Sequence, residues 1–249
     1  MSPVPQPEDS SAEQVVAWAI ATYGPRLALV TSFQLEGMVL VDMAARISKD
    51  VKVVTLDTGR LPAETFDIIE TVRGRYGVRV ELISPDPAEI GVMVANHGPN
   101  LFYESVALRT TCCHFRKVRP LNRRLAQFDA WLTGLRRLQS ESRGNLEKFA
   151  RDGDRWKISP LADWTSEDVE RYTVEHDVPR HPLYAKGYTS IGCAPCSRAT
   201  EPGEGERAGR WWWETGAAKE CGLHFSPEGK VIRTVDVLIG DILKEAHAA

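Results

Sequence analysis

Residues 27–56 read LALVTSFQLEGMVLVDMAARISKDVKVVTL, and this stretch decides the fold class. Its first apolar run, residues 27–31, predicts a short strand, and apolar residues at helical spacing follow it. Residues 51–56 then predict a second strand. A strand, a helix and a strand in this order are typical of a parallel sheet, so the stretch predicts an α/β protein.

The alternation of strands and helices continues outward from this unit. It predicts a helix at residues 62–76, a third strand at 78–83 and a fourth at 130–133. Together with the first unit, these elements predict a doubly wound, mostly parallel sheet.

Capping patterns predict where two further helices begin. Ser10 and Glu13 have the spacing of a capping box, and Thr165 has the same relation to Asp168. Residues 231–246 suggest a final strand and helix. Residues 179–209, before this last segment, are dense in Pro and Gly and lack the periodicity of a helix or a strand, so they predict an irregular stretch.

Composition excludes several classes of protein. The chain has 249 residues, 43% of them hydrophobic, and 31 Lys+Arg against 34 Asp+Glu give a net charge of -3. No broad positive field therefore attracts nucleic acid or an anionic membrane. No apolar run approaches the roughly 20 residues of a membrane helix, and Pro3 and Glu8 stand where a secretory signal has basic and apolar residues. We expect a cytoplasmic protein that binds neither membranes nor nucleic acid.

The spacing of the five cysteines is the strongest functional signal. Cys112 and Cys113 are adjacent, Cys193 and Cys196 form a Cys-x-x-Cys pair, and Cys221 stands alone. An odd number of cysteines in a reducing compartment disfavours structural disulfides. Two pairs provide four soft ligands, and adjacent thiols fit two corners of an iron-sulfur cluster better than one zinc ion. Unrelated buried cysteines are the plainer alternative.

Two further sets of residues could bind an anionic nucleotide. Residues 31–37 and 56–59 follow the first two strands, at the edge where α/β proteins bind ligands. An ordinary capped helix start would explain the first of these equally well. Planar guanidinium groups suit phosphate and sulfate, and arginines occur at positions 136, 137, 143, 207 and 210.

Seven motifs together resemble a known family. They are SFQLE (32–36), LDTGR (56–60), TCCHFRKV (111–118), WLTGLRR (131–137), SPLADW (159–164), YTSIGCAPC (188–196) and ECGLH (220–224). In this order they are similar to the thioredoxin-dependent reductases of adenylyl sulfate and phosphoadenylyl sulfate, which act in assimilatory sulfate reduction and cysteine biosynthesis. The resemblance implies a fold of the adenine-nucleotide alpha-hydrolase, or ATP pyrophosphatase, class.

The resemblance also implies a cofactor and a mechanism. It assigns a 4Fe-4S cluster to Cys112, Cys113, Cys193 and Cys196, and members with both cysteine pairs generally prefer adenylyl sulfate. It makes Cys221 the nucleophile, which forms an S-sulfocysteine while AMP leaves. Thioredoxin, or glutaredoxin, then releases sulfite. Among sequence features, Lys219 and His224 near Cys221 are weak evidence for a reactive thiol by themselves.

Substrate contacts follow from the same resemblance. Ser32, Leu56 and Gly134 match positions on the nucleotide side. The phosphosulfate clamp corresponds to Lys117, Arg143, Arg207 and Arg210. Gly37 departs from many relatives, which have an acidic residue there.

The family pattern divides the chain into four segments. We expect residues 1–9 to be disordered, 10–200 to form the nucleotide- and cluster-binding domain, and 201–224 to be a mobile segment carrying the catalytic cysteine. Residues 225–249 form an extension that matches no motif of the family, and it could dock, restrain the mobile segment or join a neighbour in a homo-oligomer.

Three other functions stay open on the sequence alone. The substrate could be phosphoadenylyl sulfate, or both sulfates. A more distant alternative is an ATP-dependent adenylating or thiolating enzyme of the same superfamily, although its Ser-Gly-Gly loop is missing. The third is a non-enzymatic zinc or cluster module, for which Cys221 would be dispensable.

Overall fold

A six-stranded sheet organises the structure, a computed structural model that describes residues 9–140, 143–214 and 230–248. The strands are β1 (Leu27–Val30), β2 (Lys52–Leu56), β3 (Val80–Ile83), β4 (Ala130–Leu132), β5 (Phe149–Asp152) and β6 (Arg155–Ile158). Their order is β3-β2-β1-β4-β6-β5, and every neighbouring pair is parallel except β5 and β6. The predicted mostly parallel α/β sheet is confirmed.

The direction of winding changes between β1 and β4. The chain moves outward from β1 to β3 and then returns to place β4 on the other side of β1. The connections that leave β1 and β4 therefore run in opposite directions, which opens a crevice at the carboxyl ends of these strands. This is where an α/β protein binds its ligand.

Eight α-helices surround the sheet within the described ranges. They are α1 (Ala12–Tyr23), α2 (Leu35–Ile47), α3 (Ala63–Tyr76), α4 (Pro87–His97), α5 (Val106–Cys113), α6 (Arg119–Leu125), α7 (Ser166–Glu175) and α8 (Lys230–Ala248). A π-helix, His114–Val118, joins α5 to α6. None of these helices is long and apolar enough to span a membrane.

Helices cover both faces of the sheet. Leu27 and Leu29 pack with α1, α2, α3 and α7 in the largest apolar core. On the opposite face, Ala28 packs in a second core with Leu121 and Leu125 of α6. This double burial explains why β1 is apolar at every position rather than at alternate ones.

Two predictions about helices need correction. The capping box of α1 lies one residue later than predicted, since Ser11 Oγ accepts from Gln14 N at 3.2 Å and Gln14 Oε1 accepts from Ser11 N at 2.9 Å. This start turns Val15 and Val16 into the core. Residues 231–246 contain no strand, because a single helix, α8, runs through them and buries residues at helical spacing.

Candidate active site

A cavity of about 190 Å³ opens at the carboxyl ends of β1, β2 and β4. Thr31, Leu56 and Thr133, which end or follow these strands, line one wall. The opposite wall comes from the π-helix and from the irregular stretch near residue 190. All seven residues predicted to bind the substrate line this cavity: Ser32, Leu56, Lys117, Gly134, Arg143, Arg207 and Arg210.

A tight turn after β1 directs the start of α2 toward the cavity. Phe33 has a positive φ of 57°, and its N–H donates to Thr31 Oγ1 at 2.8 Å. Gln34 Oε1 accepts from Ile191 N at 2.7 Å, which ties the turn to the irregular stretch. Because the first N–H groups of a helix carry partial positive charge, this wall favours an anion.

Close packing explains the glycines at positions 37 and 134. A Cβ atom at Gly37 would lie 2.1 Å from Thr31 Oγ1, so no residue with a side chain fits at this position beside the threonine. A Cβ atom at Gly134 would lie 2.9 Å from Glu36 Cβ. The loop after β4 thus lies directly against the start of α2.

A buried ionic network holds the loops around the cavity together. Arg136, whose side chain is 2% exposed, donates from Nε to Glu36 Oε1 at 2.9 Å, and its Nη2 lies 3.6 Å from Glu206 Oε2. Gln139 Nε2 donates to the same Glu36 oxygen at 2.7 Å, and the side-chain oxygen of Gln139, Oε1, accepts from Arg143 Nη1. Arg136 therefore joins the start of α2 to the loop that carries Arg207.

Glu206 lies in an unfavourable place for a carboxylate. Burial, followed by the charge of Glu36, raises its pKa above the ordinary value. The nearby guanidinium groups of Arg136, Arg207 and Arg143 act in the opposite direction without cancelling this rise.

Both cysteine pairs line a second, smaller cavity of about 10 Å³. Cys112 and Cys113 end α5, whereas Cys193 precedes a single 3₁₀ turn, Ala194–Cys196, and Cys196 ends it. All four thiols are buried and free of disulfides. The fold thus brings together two pairs that are eighty residues apart in sequence.

Cationic side chains surround these thiols and shift their pKa values in different directions. Burial raises the pKa of Cys112, and burial together with the charge of Cys193 raises the pKa of Cys196 to about 11. Burial acts on Cys193 in the same direction, but Lys117 and the Thr58 hydroxyl, 3.2 Å from its sulfur, leave its pKa below the ordinary value. The cavity therefore favours negative charge at one of its thiols.

The donor set of this cavity fits a sulfur-rich anionic group. Arg116 Nε and Trp211 Nε1 are buried N–H donors beside the thiols, and neither has a hydrogen-bond partner within the described residues. Cysteine thiolates are the ligands of iron-sulfur clusters, and N–H donors near the sulfur atoms stabilise the negative charge of such a group, so this set of residues is compatible with one. The ranges that the structure describes contain no group of three or more His, Cys, Asp or Glu side chains that could hold a metal ion, so the four thiols share a cavity without forming a ready single-ion site.

Two residues belong to both cavities. Lys117 and Trp211 line the larger cavity and the cysteine cavity alike. The Trp211 ring lies between two guanidinium groups, with the Cζ of Arg109 at 4.5 Å and that of Arg210 at 4.6 Å from its centroid. Arg109 in turn forms a buried ion pair with Glu214 at 2.6 Å.

Residues 26–199 match the phosphoadenosine phosphosulfate reductase domain, and this covers more than half of the chain. The chain belongs to the phosphoadenosine phosphosulfate reductase family.

Similar proteins of this reductase family come from several bacteria. Adenosine 5'-phosphosulfate reductase of Burkholderia cepacia is 49% identical over 203 residues, which are 81% of this chain and 81% of that protein. The protein of the same name from Pseudomonas aeruginosa is 41% identical over 224 residues, 87% of this chain and 83% of that one.

Solved structures agree with the family assignment and the fold class. The phosphoadenylyl-sulfate reductase of Candida auris matches with a TM-score of 0.63 at 29% identity. The match covers 75% of this chain and 90% of the Candida auris chain. Yeast FAD synthetase has a TM-score of 0.53 at 14% identity, covering 76% of this chain and 66% of its own, and shows a shared fold alone. The fold is that of the adenine-nucleotide alpha-hydrolase class.

The reductase motifs did not indicate every residue of the site. Gln139 and Glu206 were missed, the contact of Thr58 with Cys193 was not predicted although residues 56–59 were, and Arg136 was grouped with arginines available for phosphate although its partner is Glu36. Their partners lie far away in sequence, so no local spacing could have identified them. Cys221, with Lys219 and His224, lies outside the described residues.

Proposed function

We propose that this reductase-family protein converts adenylyl sulfate to sulfite and AMP and is thus an oxidoreductase that acts on a sulfur group. One observation carries the proposal. A cavity lined by Lys117, Arg143, Arg207 and Arg210 opens at the carboxyl edge of the sheet and shares a wall with the four-cysteine cavity. The names of the relatives that are 41–49% identical support the same substrate.

The reaction takes place in two stages. The Cys221 thiolate attacks the sulfur atom of adenylyl sulfate, the bond from this sulfur to the bridging oxygen breaks, and AMP leaves with the electron pair on its phosphate oxygen. A thiolate of thioredoxin or glutaredoxin then attacks the Cys221 sulfur, and sulfite leaves. The second thiol of the donor supplies the remaining electron pair as its disulfide forms, which frees Cys221.

The cationic residues of the cavity act on the leaving group. Lys117, Arg143, Arg207 and Arg210 bind the phosphosulfate and stabilise the charge that develops on the AMP oxygen. Ser32, Leu56 and Gly134 hold the nucleotide side. Removal of one such preorganised donor ordinarily lowers a rate by about 10²–10³-fold.

We further propose that Cys112, Cys113, Cys193 and Cys196 hold a 4Fe-4S cluster. The four buried thiols, together with Arg116 Nε and Trp211 Nε1, which have no hydrogen-bond partner within the described residues, support this assignment. When bound, the cluster would place a fixed charge beside the wall that both cavities share and would hold the four cysteines in position. The transfer of the sulfonate group needs no electron from it.

A cytoplasmic location and a thioredoxin-type partner fit this chemistry. A cysteine nucleophile and four thiolate ligands persist in a reducing compartment, where a dithiol donor is also available. The net charge of -3 supports neither a nucleic-acid nor a membrane partner.

The first experiment is the intact mass of protein purified without oxygen and mixed with adenylyl sulfate or phosphoadenylyl sulfate in the absence of a reductant. We expect a sulfonate adduct that maps to Cys221, forms faster with adenylyl sulfate and is discharged as sulfite by thioredoxin. Faster labelling by phosphoadenylyl sulfate would change the assigned substrate. Absence of an adduct with either compound, in protein with an intact cluster, would exclude the covalent mechanism.

A further inference from the structure

Arg210, one of the cations that line the larger cavity, is held from several sides. It is 5% exposed, its Nε donates to the Cys196 carbonyl at 3.2 Å, and its Nη1 donates to the Ile191 carbonyl at 3.3 Å. The Trp211 ring lies against the guanidinium group, with its centroid 4.6 Å from Cζ. These contacts fix the plane of the guanidinium group, so its orientation toward a bound anion is set before the anion arrives.

Gly192 leaves the space that this guanidinium group occupies. A Cβ atom at Gly192 would lie 2.3 Å from Arg210 Nη2 and 2.6 Å from Arg210 Cζ. The φ angle of Gly192 is not positive, so its backbone conformation does not require glycine. The close approach of the guanidinium group therefore accounts for the missing side chain. Gly192 and Arg210 both line the larger cavity.

Hydrogen bonds fix the backbone around Gly192. Ile191 N donates to Gln34 Oε1 at 2.7 Å, and Gly192 N donates to Ser197 Oγ at 3.0 Å. The Ser197 hydroxyl in turn donates to the Cys193 carbonyl at 3.1 Å. The end of a long side chain moves more easily than a backbone held in this way. A methyl group at position 192 would therefore displace the guanidinium group and leave the fold intact.

We infer that Gly192 is a positioning residue that keeps the Arg210 guanidinium group in the orientation that binds the phosphosulfate of the substrate. The segment 191–196 thereby sets the geometry of the cationic clamp through the Ile191 and Cys196 carbonyls and the bare Cα of Gly192. This role is separate from that of the thiols in the same segment. The inference rests on the proposed binding of the phosphosulfate by Arg210.

The test compares AMP with adenosine, which lacks the phosphate that the clamp would bind. Calorimetric titration of Gly192→Ala, purified without oxygen, should show AMP binding about tenfold weaker than in the wild type and adenosine binding unchanged. A general distortion of the cavity would weaken the binding of both ligands. Gly91→Ala is the matched control, because a Cβ atom at this exposed position of α4 meets no heavy atom of the described residues within 4 Å. It should bind both ligands as the wild type does.

A second variant tests whether Gly192 acts through the guanidinium group. The lysine of Arg210→Lys has a narrower end and lacks the planar fork that donates to both carbonyls, so this variant should bind AMP about tenfold more weakly. Gly192→Ala/Arg210→Lys should bind AMP no more weakly than Arg210→Lys, because the methyl group no longer meets a guanidinium group. If Gly192→Ala alone does not fold, recovery of folding in the double variant supports the same assignment.

The outcomes that contradict this role are distinct from failure of the proposed function. Equal AMP affinity in Gly192→Ala and the wild type, or an equal weakening of AMP and adenosine binding, would overturn the inference. Additive losses in the double variant, or failure of both proteins with Gly192→Ala to fold, would overturn it as well. A wild-type protein that binds AMP no more tightly than adenosine would instead overturn the proposed binding of the phosphosulfate by the cationic residues.

Discussion

Gly37 lies within a helix, where replacement of glycine by alanine ordinarily stabilises a protein by about 0.5–1 kcal/mol. We expect Gly37→Ala to have the opposite effect, because the new methyl group would lie 2.1 Å from Thr31 Oγ1. That hydroxyl cannot rotate away without losing the Phe33 N–H that it accepts at 2.8 Å. Chemical denaturation should show a loss of about 1–3 kcal/mol in the free energy of unfolding.

A double-mutant cycle identifies the cause of this loss. Thr31→Ala removes the hydroxyl that occupies the space, so Thr31→Ala/Gly37→Ala should be more stable than the sum of the single changes predicts. Simple additivity would show that the conflict at Gly37 lies elsewhere.

Glu206 should make the stability of the protein depend on pH. Burial and the charge of Glu36 raise its pKa in the folded state, so the folded protein binds this proton more strongly than the unfolded chain does. The contribution of Glu206 to stability is therefore complete at acidic pH and is lost as pH rises through the raised pKa. Glu206→Gln should gain stability relative to the wild type between about pH 5 and pH 8, which denaturation at the two pH values measures.

Glu170 provides a control with the opposite sign. A hydrogen bond from Arg180 lowers the pKa of Glu170 in the folded state, so its contribution is present at neutral pH and is lost as pH falls. Glu170→Gln should lose stability relative to the wild type as pH rises from about 3 to about 5, and should show no further change relative to it between about pH 5 and pH 8. Both side chains are partly exposed, so each change should stay below about 1 kcal/mol. A pH-independent difference for Glu206→Gln would contradict the assignment.

The helix α5 depends on one buried ion pair. Arg109→Met would leave the Glu214 carboxylate in a site where it is 4% exposed and uncompensated. We expect this change to lower the free energy of unfolding by about 3–5 kcal/mol, as measured by urea denaturation.

Two comparisons make the result at α5 specific. Arg109→Met/Glu214→Leu removes both charges and should recover much of the loss. Arg26→Met breaks a pair with Asp129 whose side chains are 58% and 47% exposed, and should leave the free energy of unfolding nearly unchanged because solvent screens this pair. If the double variant lost as much free energy of unfolding as Arg109→Met alone, the loss would come from the packing of the side chain and not from an uncompensated charge.

Elements with a strong local pattern were predictable from sequence. The four parallel strands β1 to β4 were predicted within two residues, because buried runs of apolar residues bounded by polar ones are distinctive. The hairpin of β5 and β6 was not predicted, although Gly153, with a positive φ of 63°, forms its two-residue turn. Each strand has only four residues, and only β6 alternates charged and apolar residues, whereas β5 has two apolar residues followed by two charged ones, so the local signal is weak.

Long-range contacts set the limit of prediction for the candidate site. The cysteine spacing and the family motifs named residues that the fold does bring to two adjoining cavities. No pattern pointed to Glu206 as a neighbour of Glu36, because 170 residues separate them and Arg136 joins them only in the folded chain. The final strand was predicted wrongly, since Val231 and Ile232 favour a strand locally while the packing of α8 on α5 favours a helix.

At the scale of the whole molecule, the shared wall predicts communication between the two cavities. AMP binding should alter the absorption spectrum of the proposed cluster, because Lys117 lines both the cavity proposed for the nucleotide and the cavity of the four thiols. Lys117→Met should bind AMP more weakly and lose the spectral change even at saturation. Titrations of AMP followed by absorbance, in protein purified without oxygen, measure both effects.

Lys244→Met is the control for this coupling, since Lys244 is 83% exposed on α8 and should retain both AMP affinity and the spectral response. A spectral change of full size in Lys117→Met at saturating AMP would exclude Lys117 as the connection. An unchanged wild-type spectrum at saturation would show that the cavities are independent.

The π-helix between α5 and α6 sets the direction in which its own side chains and those of α6 point relative to the cysteine pair at the end of α5. Each residue of an α-helix turns the chain by about 100°, and a π-helical turn contains one residue more than an α-helical turn. If one residue were deleted between Cys113 and Lys117 and the π-helical hydrogen bonds were kept, Lys117 and α6 would rotate by about this angle relative to the cysteine pair. The number of residues between the thiols and the lysine is therefore as strictly determined as their identities.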